Sequence, residues 1–264
     1  MPEFTAKDVQ RLRQATGAGM MDSKNALVEA EGDFDRAATI LREKGLASSA
    51  KRSDREAGDG AVAAVVTPGG SAIVELRCET DFVAKSEDFV NLVNRLSDAL
   101  ASEGEGGLAK LESAVDDLKM TLKENISVGR TVRFDPAEGT IVDAYLHRQS
   151  GRGKNGVLVE LEGGSPELAH DVALHIASSR PQFVSRDDVP TEDVESERKT
   201  LETITRNEGK LEAVLEKIVE GRLRGFFKDM CLLEQGFVKD EKQTVAQILG
   251  DAKVTRFAQV EIGR

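Results

Sequence analysis

Ala61-Val-Ala-Ala-Val-Val-Thr-Pro-Gly-Gly-Ser-Ala-Ile-Val-Glu-Leu-Arg-Cys78 carries two β-prone runs around a Pro-Gly-Gly turn. Valine and isoleucine favour a pleated, half-buried surface, and Pro68–Gly69–Gly70 supplies the backbone freedom of a tight reversal, so the stretch reads as a β-hairpin. The same plan recurs at Ile141–His147, a Gly-rich loop and Gly156–Glu162. The second strands share letters, Ile73-Val-Glu-Leu76 against Leu158-Val-Glu-Leu161. A helix follows each hairpin: Phe89, Leu92, Val93, Leu96 and Leu100 in the first copy, and Leu168, Val172 and Ile176 behind Ser165–Pro166 in the second. Each copy later reaches a strand with Arg-Phe, Thr131-Val-Arg-Phe134 and Val254-Thr-Arg-Phe257. The shared order predicts an α+β fold built on two related antiparallel-sheet-plus-helix subdomains, at 61–138 and at 139–190 with 236–264.

Ahead of the first copy, residues 1–46 read as a three-helix domain. Thr5 with Asp8 makes a capping box, Thr16–Gly17–Ala18–Gly19 breaks the first helix, and Met20, Lys24 and Leu27 space the second. Asp33 caps a third helix with Phe34, Ala37, Ala38 and Leu41 at helical spacing, and Gly45 reads as its end. A domain this small has little room for a catalytic cleft and reads as a binding module. Residues 47–60, small and charged, read as a linker. Leu108, Leu111, Val115, Leu118 and Leu122 read as one amphipathic helix of the first copy. Inserted in the second copy, 191–235 reads as a protruding, coiled-coil-like helical hairpin. Val194, Leu201 and Ile204 lie on its first helix, and Leu211, Val214, Leu215, Ile218, Val219, Leu223 and Phe226 on its second.

Composition removes several function classes. The 264-residue chain has a formal net charge of -11, a poor balance for gripping phosphate backbones, so no direct nucleic-acid partner is expected. No apolar run approaches the ~18–20 residues of a membrane span, and Met1–Pro2–Glu3–Phe4 leads into charged residues rather than a secretory signal. Cys78 and Cys231 stand far apart, outside any CxxC, and read as small buried hydrophobes in a reducing cytoplasm.

Three features invite a chemical reading. Gly151-Arg-Gly-Lys-Asn-Gly156 spells the dinucleotide pattern GxGxxG, but it runs into a strand, so no helix N-terminus receives a pyrophosphate and it reads as a hairpin connection. His147, His170 and His175 are too scattered for zinc or a nucleophilic triad, and no cofactor or resident metal is expected. His170 and His175 read as solvent or core-edge residues of a helix. The third feature is Thr80-Asp81-Phe82-Val83. From the shared strand to the end of the next helix the first copy runs from 73 to 102 and the second from 158 to 179, and the excess lies in 77–85. A segment added to a scaffold that manages without it is a candidate for function. A purely structural account also exists, with Thr80 as a helix cap and Phe82 packed inward.

Thr16-Gly-Ala-Gly-Met-Met-Asp22, Glu79-Thr-Asp-Phe-Val-Ala-Lys85, His175-Ile-Ala-Ser-Ser-Arg-Pro181 and Val219-Glu-Gly-Arg222 together resemble the elongation factor Ts family. The resemblance implies a UBA-like N-terminal domain, a core of two related subdomains and an inserted coiled-coil hairpin. It implies guanine nucleotide exchange on elongation factor Tu, bound in GDP-loaded and nucleotide-free forms, without covalent chemistry. Thr80, Asp81, Phe82 and Val83 match the turn that disturbs the partner's Mg²⁺ site. Arg13, Met20, Met21, Lys24 and His147 match partner contacts. One heterodimer and a dimer of heterodimers both remain open. The chain reaches Arg264 soon after its last strand, whereas some family members continue into a further helix. The rival readings are a UBA-like adaptor without exchange activity and a hydrolase built on scattered carboxylates.

Overall fold

The computed structural model describes residues 4–50, 52–209 and 211–263; Met1–Glu3, Lys51, Lys210 and Arg264, which the readings 1–46, 47–60, 191–235 and 236–264 include, lie outside the described residues. The chain divides into two compact units, Met1–Asp135 with Arg148–Asn155 and Val260–Arg264, and Pro136–His147 with Gly156–Gln259.

The first unit opens with α1 (Ala6–Thr16), α2 (Met20–Glu29) and α3 (Phe34–Ala50). Thr5 and Asp8 form the expected capping box, and Gly17 closes α1 in the left-handed region. Val9, Leu12, Ala26, Leu27, Ala37 and Leu41 form a small core between these helices. The expected stop at Gly45 is not found, because α3 continues to Ala50. Gly45 instead lets a neighbouring helix approach: a Cβ there would lie 2.5 Å from the Met120 sulfur.

The hairpin of β1 (Asp59–Thr67) and β2 (Gly70–Cys78) is antiparallel from Asp59 opposite Cys78 to Thr67 opposite Gly70. β3 (Ser127–Phe134) pairs with the other side of β2, giving the order β1-β2-β3. Period-2 alternation turns Ala72, Val74, Leu76 and Cys78 onto one face, where they meet Phe89, Leu92, Val93, Leu96 and Leu100 of α5 (Glu87–Glu103). Between β2 and α5 lies one short turn of helix, α4 (Asp81–Ala84). The single amphipathic helix expected over 108–122 is two, α6 (Glu105–Ala109) and α7 (Glu112–Leu122). Gly107 lets α6 lie close on α5: a Cβ there would sit 2.4 Å from the Ala99 carbonyl oxygen, an approach only glycine permits.

In the second sheet β4 (Thr140–Gln149), β5 (Arg152–Glu162) and β8 (Lys253–Glu261) lie in the order β4-β5-β8. Each sheet is thus a hairpin whose second strand receives a strand from much later in the chain. The Gly-rich connection is shorter than expected. Ser150 and Gly151, at φ 53 and φ 83, make a two-residue turn, and Arg152–Gly156 already belong to β5. Both central strands carry a buried glutamate at the shared position, each held by an arginine. Arg130 donates to Glu75 from Nε and from Nη2, both at 3.1 Å, and Arg256 donates to Glu160 at 3.1 and 2.7 Å. Burial pushes both carboxyls up, but Arg130 with Arg77 at Glu75, and Arg256 with the Thr255 hydroxyl at Glu160, together outweigh it and hold both below the usual range.

α8 (Pro166–Ser179) starts at its Ser165 cap and buries Val172 and Ile176 on its sheet. α9 (Thr191–Asn207) and α10 (Glu212–Met230) form the helical hairpin, tied by Arg198–Glu220 and by Arg222, which grips Glu208 at 2.7 and 2.8 Å. Leu215, Val219, Leu223 and Phe227 are buried, but Leu211 precedes α10 and, with Ile204 and Val214, faces solvent. A ribbon, β6 (Gly236–Phe237) with β7 (Asp240–Thr244), and α11 (Val245–Leu249) precede β8. The sequence reading has no counterpart for them, since Asp240-Glu-Lys-Gln-Thr244 lacks apolar alternation. Among the described residues no helix is long and apolar enough to cross a membrane.

Candidate functional site

The turn leaving β2 is held from below and bare on top. Thr80 caps α4, its hydroxyl accepting from the Val83 amide at 3.4 Å. The Glu124 carboxylate accepts from the Glu79 amide at 3.0 Å, the Thr80 amide at 3.1 Å and the Thr80 hydroxyl at 2.5 Å. The clamp is reciprocal, because the Asn125 amide donates to the Glu79 carboxylate at 2.7 Å. Ala84 is buried, Val83 packs against the core beneath the sheet, and the Ser86 hydroxyl donates to the Val83 carbonyl at 2.7 Å. The Cys78 thiol donates to the Thr80 carbonyl at 3.2 Å; burial, with help from Glu124 and Asp59, pushes its pKa to about 12. It therefore acts as a packed, protonated group, and both cysteines are buried and free of disulfides.

Against this frame Phe82 is 83% exposed, the most exposed of the large hydrophobic side chains described. The inward packing that a structural account requires is absent. Helical geometry gives the reason: in a four-residue helix whose Val83 and Ala84 point to the core, Phe82 is left on the outer side. Asp81 is ionised, and its ion pair with Lys85, four residues on, lowers its pKa. The turn thus presents a carboxylate and an aromatic ring side by side. Glu124, the acceptor for three of its donors, went unseen in the sequence because it lies 44 residues beyond Thr80 in a segment without periodicity.

The other sequence-predicted site residues lie elsewhere. Arg13 on α1 and Met20, Met21 and Lys24 on α2 are exposed, with Met20 at 46% and Met21 at 62%, so neither methionine is core. Val28, also exposed, extends their stripe by one helical turn and was missed. These residues share the first unit with the turn, whereas His147 belongs to the second. His147 is exposed near the end of β4, its Nδ1 3.5 Å from the Tyr145 hydroxyl. His170 pairs with Asp143 at 3.1 Å on the surface. His175 departs from the core-edge expectation: it is fully buried, between Gln235 and the Val238 amide. No group of three or more His, Cys, Asp or Glu side chains is placed to hold a metal ion among the described residues.

The family described as Elongation factor TS matches residues 79–264 of this chain. Elongation factor Ts of Kineococcus radiotolerans is 45% identical over 277 aligned positions that span all of both chains. Elongation factor Ts of Clavibacter michiganensis subsp. michiganensis is 43% identical over the same span. That of Symbiobacterium thermophilum is 43% identical over 286 positions, covering all of this chain and 93% of its own. The chain belongs to the elongation factor Ts family of translation factors.

Proposed function

We propose that this protein is the guanine nucleotide exchange factor for elongation factor Tu and that Thr80–Val83 is the segment that loosens the bound GDP. The observation that carries the reading is an 83% exposed phenylalanine on a backbone clamped by Glu124. An exposed ring on a mobile loop would lose its binding energy to ordering, whereas a braced one delivers it. Burying Phe82 in the partner contributes about 1.5–3 kcal/mol, enough to hold a displaced arrangement there. Asp81 disturbs the polar shell of the partner's Mg²⁺, an ion that demands near-octahedral geometry, and the phosphate cradle then loosens. Binding is reciprocal: whatever weakens GDP in the complex weakens this protein's hold when GDP returns. A thousandfold ratio corresponds to about 4 kcal/mol, more than one ring supplies, so further contacts are needed. Met20, Met21, Lys24 and Arg13 serve as these on a UBA-like module of residues 1–46, and His147 adds one more.

In this reading 47–60 joins that module to a first core subdomain, 61–138. The second, 139–190 with 236–264, carries the coiled-coil hairpin 191–235. The matching strand orders and the paired Glu75 and Glu160 support the two-subdomain division. The protein performs no covalent step and works in the cytoplasm. Release of a fluorescent GDP analogue from elongation factor Tu tests the proposal. Acceleration by the wild-type protein supports it, and binding without acceleration returns the adaptor reading.

A further inference from the structure

The segment Gly151–Gly156, whose GxGxxG letters have no nucleotide to serve, reaches the exchange turn from beneath. Arg152 opens β5 with a side chain only 3% exposed. Its Nη2 pairs with the Asp59 carboxylate at 3.0 Å, and its Nη1 donates to the Asp81 carbonyl at 3.4 Å. Two residues on, Lys154 Nζ meets the same Asp59 oxygen at 3.0 Å, and the Gly60 amide donates to it at 2.8 Å. Asp59 faces Cys78 across the hairpin, so this anchor lies beside the last strand residue before the turn. Burial raises the Asp59 pKa, but Lys154, the Gly60 amide and Arg152 more than offset it and keep the carboxylate ionised. Gly60 is obligatory for the approach, since a Cβ would lie 2.2 Å from the Leu76 carbonyl oxygen.

A buried arginine is an expensive way to close a hairpin, and this one is left incomplete, with a buried Nε that has no partner. What the guanidinium gains is span: one planar fork joins a carboxylate on β1 to the backbone carbonyl of Asp81. We propose that Arg152, anchored by Asp59, is a positioning residue for the exchange turn. By holding the Asp81 carbonyl it sets the direction in which Asp81 and Phe82 project. The inference rests on the exchange reading above. Glu124 fixes the entry to the turn through the Glu79 and Thr80 amides, and Arg152 holds the carbonyl of the next residue, so the two clamps grip the turn on either side of the Thr80–Asp81 peptide group.

The test separates positioning from simple support of the fold. Arg152→Met leaves Asp59 short of its buried partner and lowers the melting temperature. Asp59→Asn/Arg152→Met removes both of these charges and recovers most of the loss, the partly exposed Lys154 turning its ammonium to solvent. Arg152→Lys keeps a cation for Asp59 but loses the fork, giving the same comparison in a variant that retains its charge pair. For each, release of a fluorescent GDP analogue from elongation factor Tu is followed against variant concentration. The maximal release rate is expected to stay about tenfold below wild type in the double variant and in Arg152→Lys, with the half-saturating concentration within about threefold. A wild-type maximal rate in the refolded double variant overturns the inference alone. A wild-type protein that does not accelerate release overturns the exchange reading and this inference with it.

Discussion

Phe82 and Glu124 show how far one side chain's meaning depends on its neighbours. Phe82 reads from pattern as an inward residue of a helical turn, and only the burial of Val83 and Ala84 turns it outward. Its exposure implies that it adds little to folding, so Phe82→Ala is expected to change stability by no more than about 0.5 kcal/mol in denaturant unfolding. Glu124 is the converse, a surface carboxylate with a structural task. Glu124→Ala leaves the Glu79 and Thr80 amides without their acceptor. The expected result is a loss of about 1–2 kcal/mol, below the value for buried charged hydrogen bonds because the clamp is partly solvated. Hydrogen exchange should show these two amides exchanging about tenfold faster while the β2 amides hold their protection. The extra length of 77–85 marked Phe82 in the sequence, but the role of Glu124 was not legible there, since a contact spanning 44 residues leaves no local pattern. The capping role of Thr80 was legible, because it is set by residues within one helical turn.

At the scale of elements, the packing of α8 contains a histidine whose proton is fixed by its surroundings. Gln235 donates its amide to the Asp229 carbonyl at 2.8 Å, which leaves its oxygen to accept from His175 Nε2 at 2.9 Å. His175 Nδ1 must then accept from the Val238 amide at 3.2 Å, so the ring is neutral with its proton on Nε2. Protonating Nδ1 would set two donors against each other, and burial, against a smaller upward pull from Gln235, depresses the pKa below 6.5. The unfolded chain therefore binds this proton more readily than the folded one. Stability is complete above pH ~6.5 and falls as the pH drops from there toward the depressed folded value. Urea unfolding between pH 7.5 and 5.5 should show this loss, and His175→Gln should flatten the His175 contribution. Close packing of helices gives a second expectation. Gly107→Ala drives a Cβ into the Ala99 carbonyl and should cost about 1–3 kcal/mol, read as a lowered urea midpoint. The periodicity of 108–122 hid the break at Lys110–Leu111, because apolar spacing does not report where a backbone must yield to its neighbour.

For the whole molecule, repetition made the architecture readable. Two hairpins, each followed by a helix and closed by an Arg-Phe strand, appear as two sheets with matching orders, β1-β2-β3 and β4-β5-β8. The repeated Val-Glu-Leu letters mark a matching device: a glutamate buried on each central strand and held by an arginine, Arg130 in one sheet and Arg256 in the other. Two parts that escaped notice, the ribbon at 236–244 and the Arg152 fork, belong to one copy only and carry no repeated letters to mark them. The turn at Thr80–Val83 belongs to that class too, and its extra length gave it away.

The central claim is that this exposed turn, rather than the bulk of the interface, loosens the nucleotide. The direct measurement is the maximal rate of GDP-analogue release from elongation factor Tu, comparing wild type with Asp81→Ala/Phe82→Ala. Binding of each to nucleotide-free elongation factor Tu is measured alongside. The expected result is a variant that still binds, because Arg13, Met20, Met21 and Lys24 are untouched, yet releases GDP at least about tenfold more slowly, a deficit of roughly 1.4 kcal/mol or more. A variant that binds and releases GDP at the wild-type rate would contradict the account and leave the turn as a capped connection between sheet and helix.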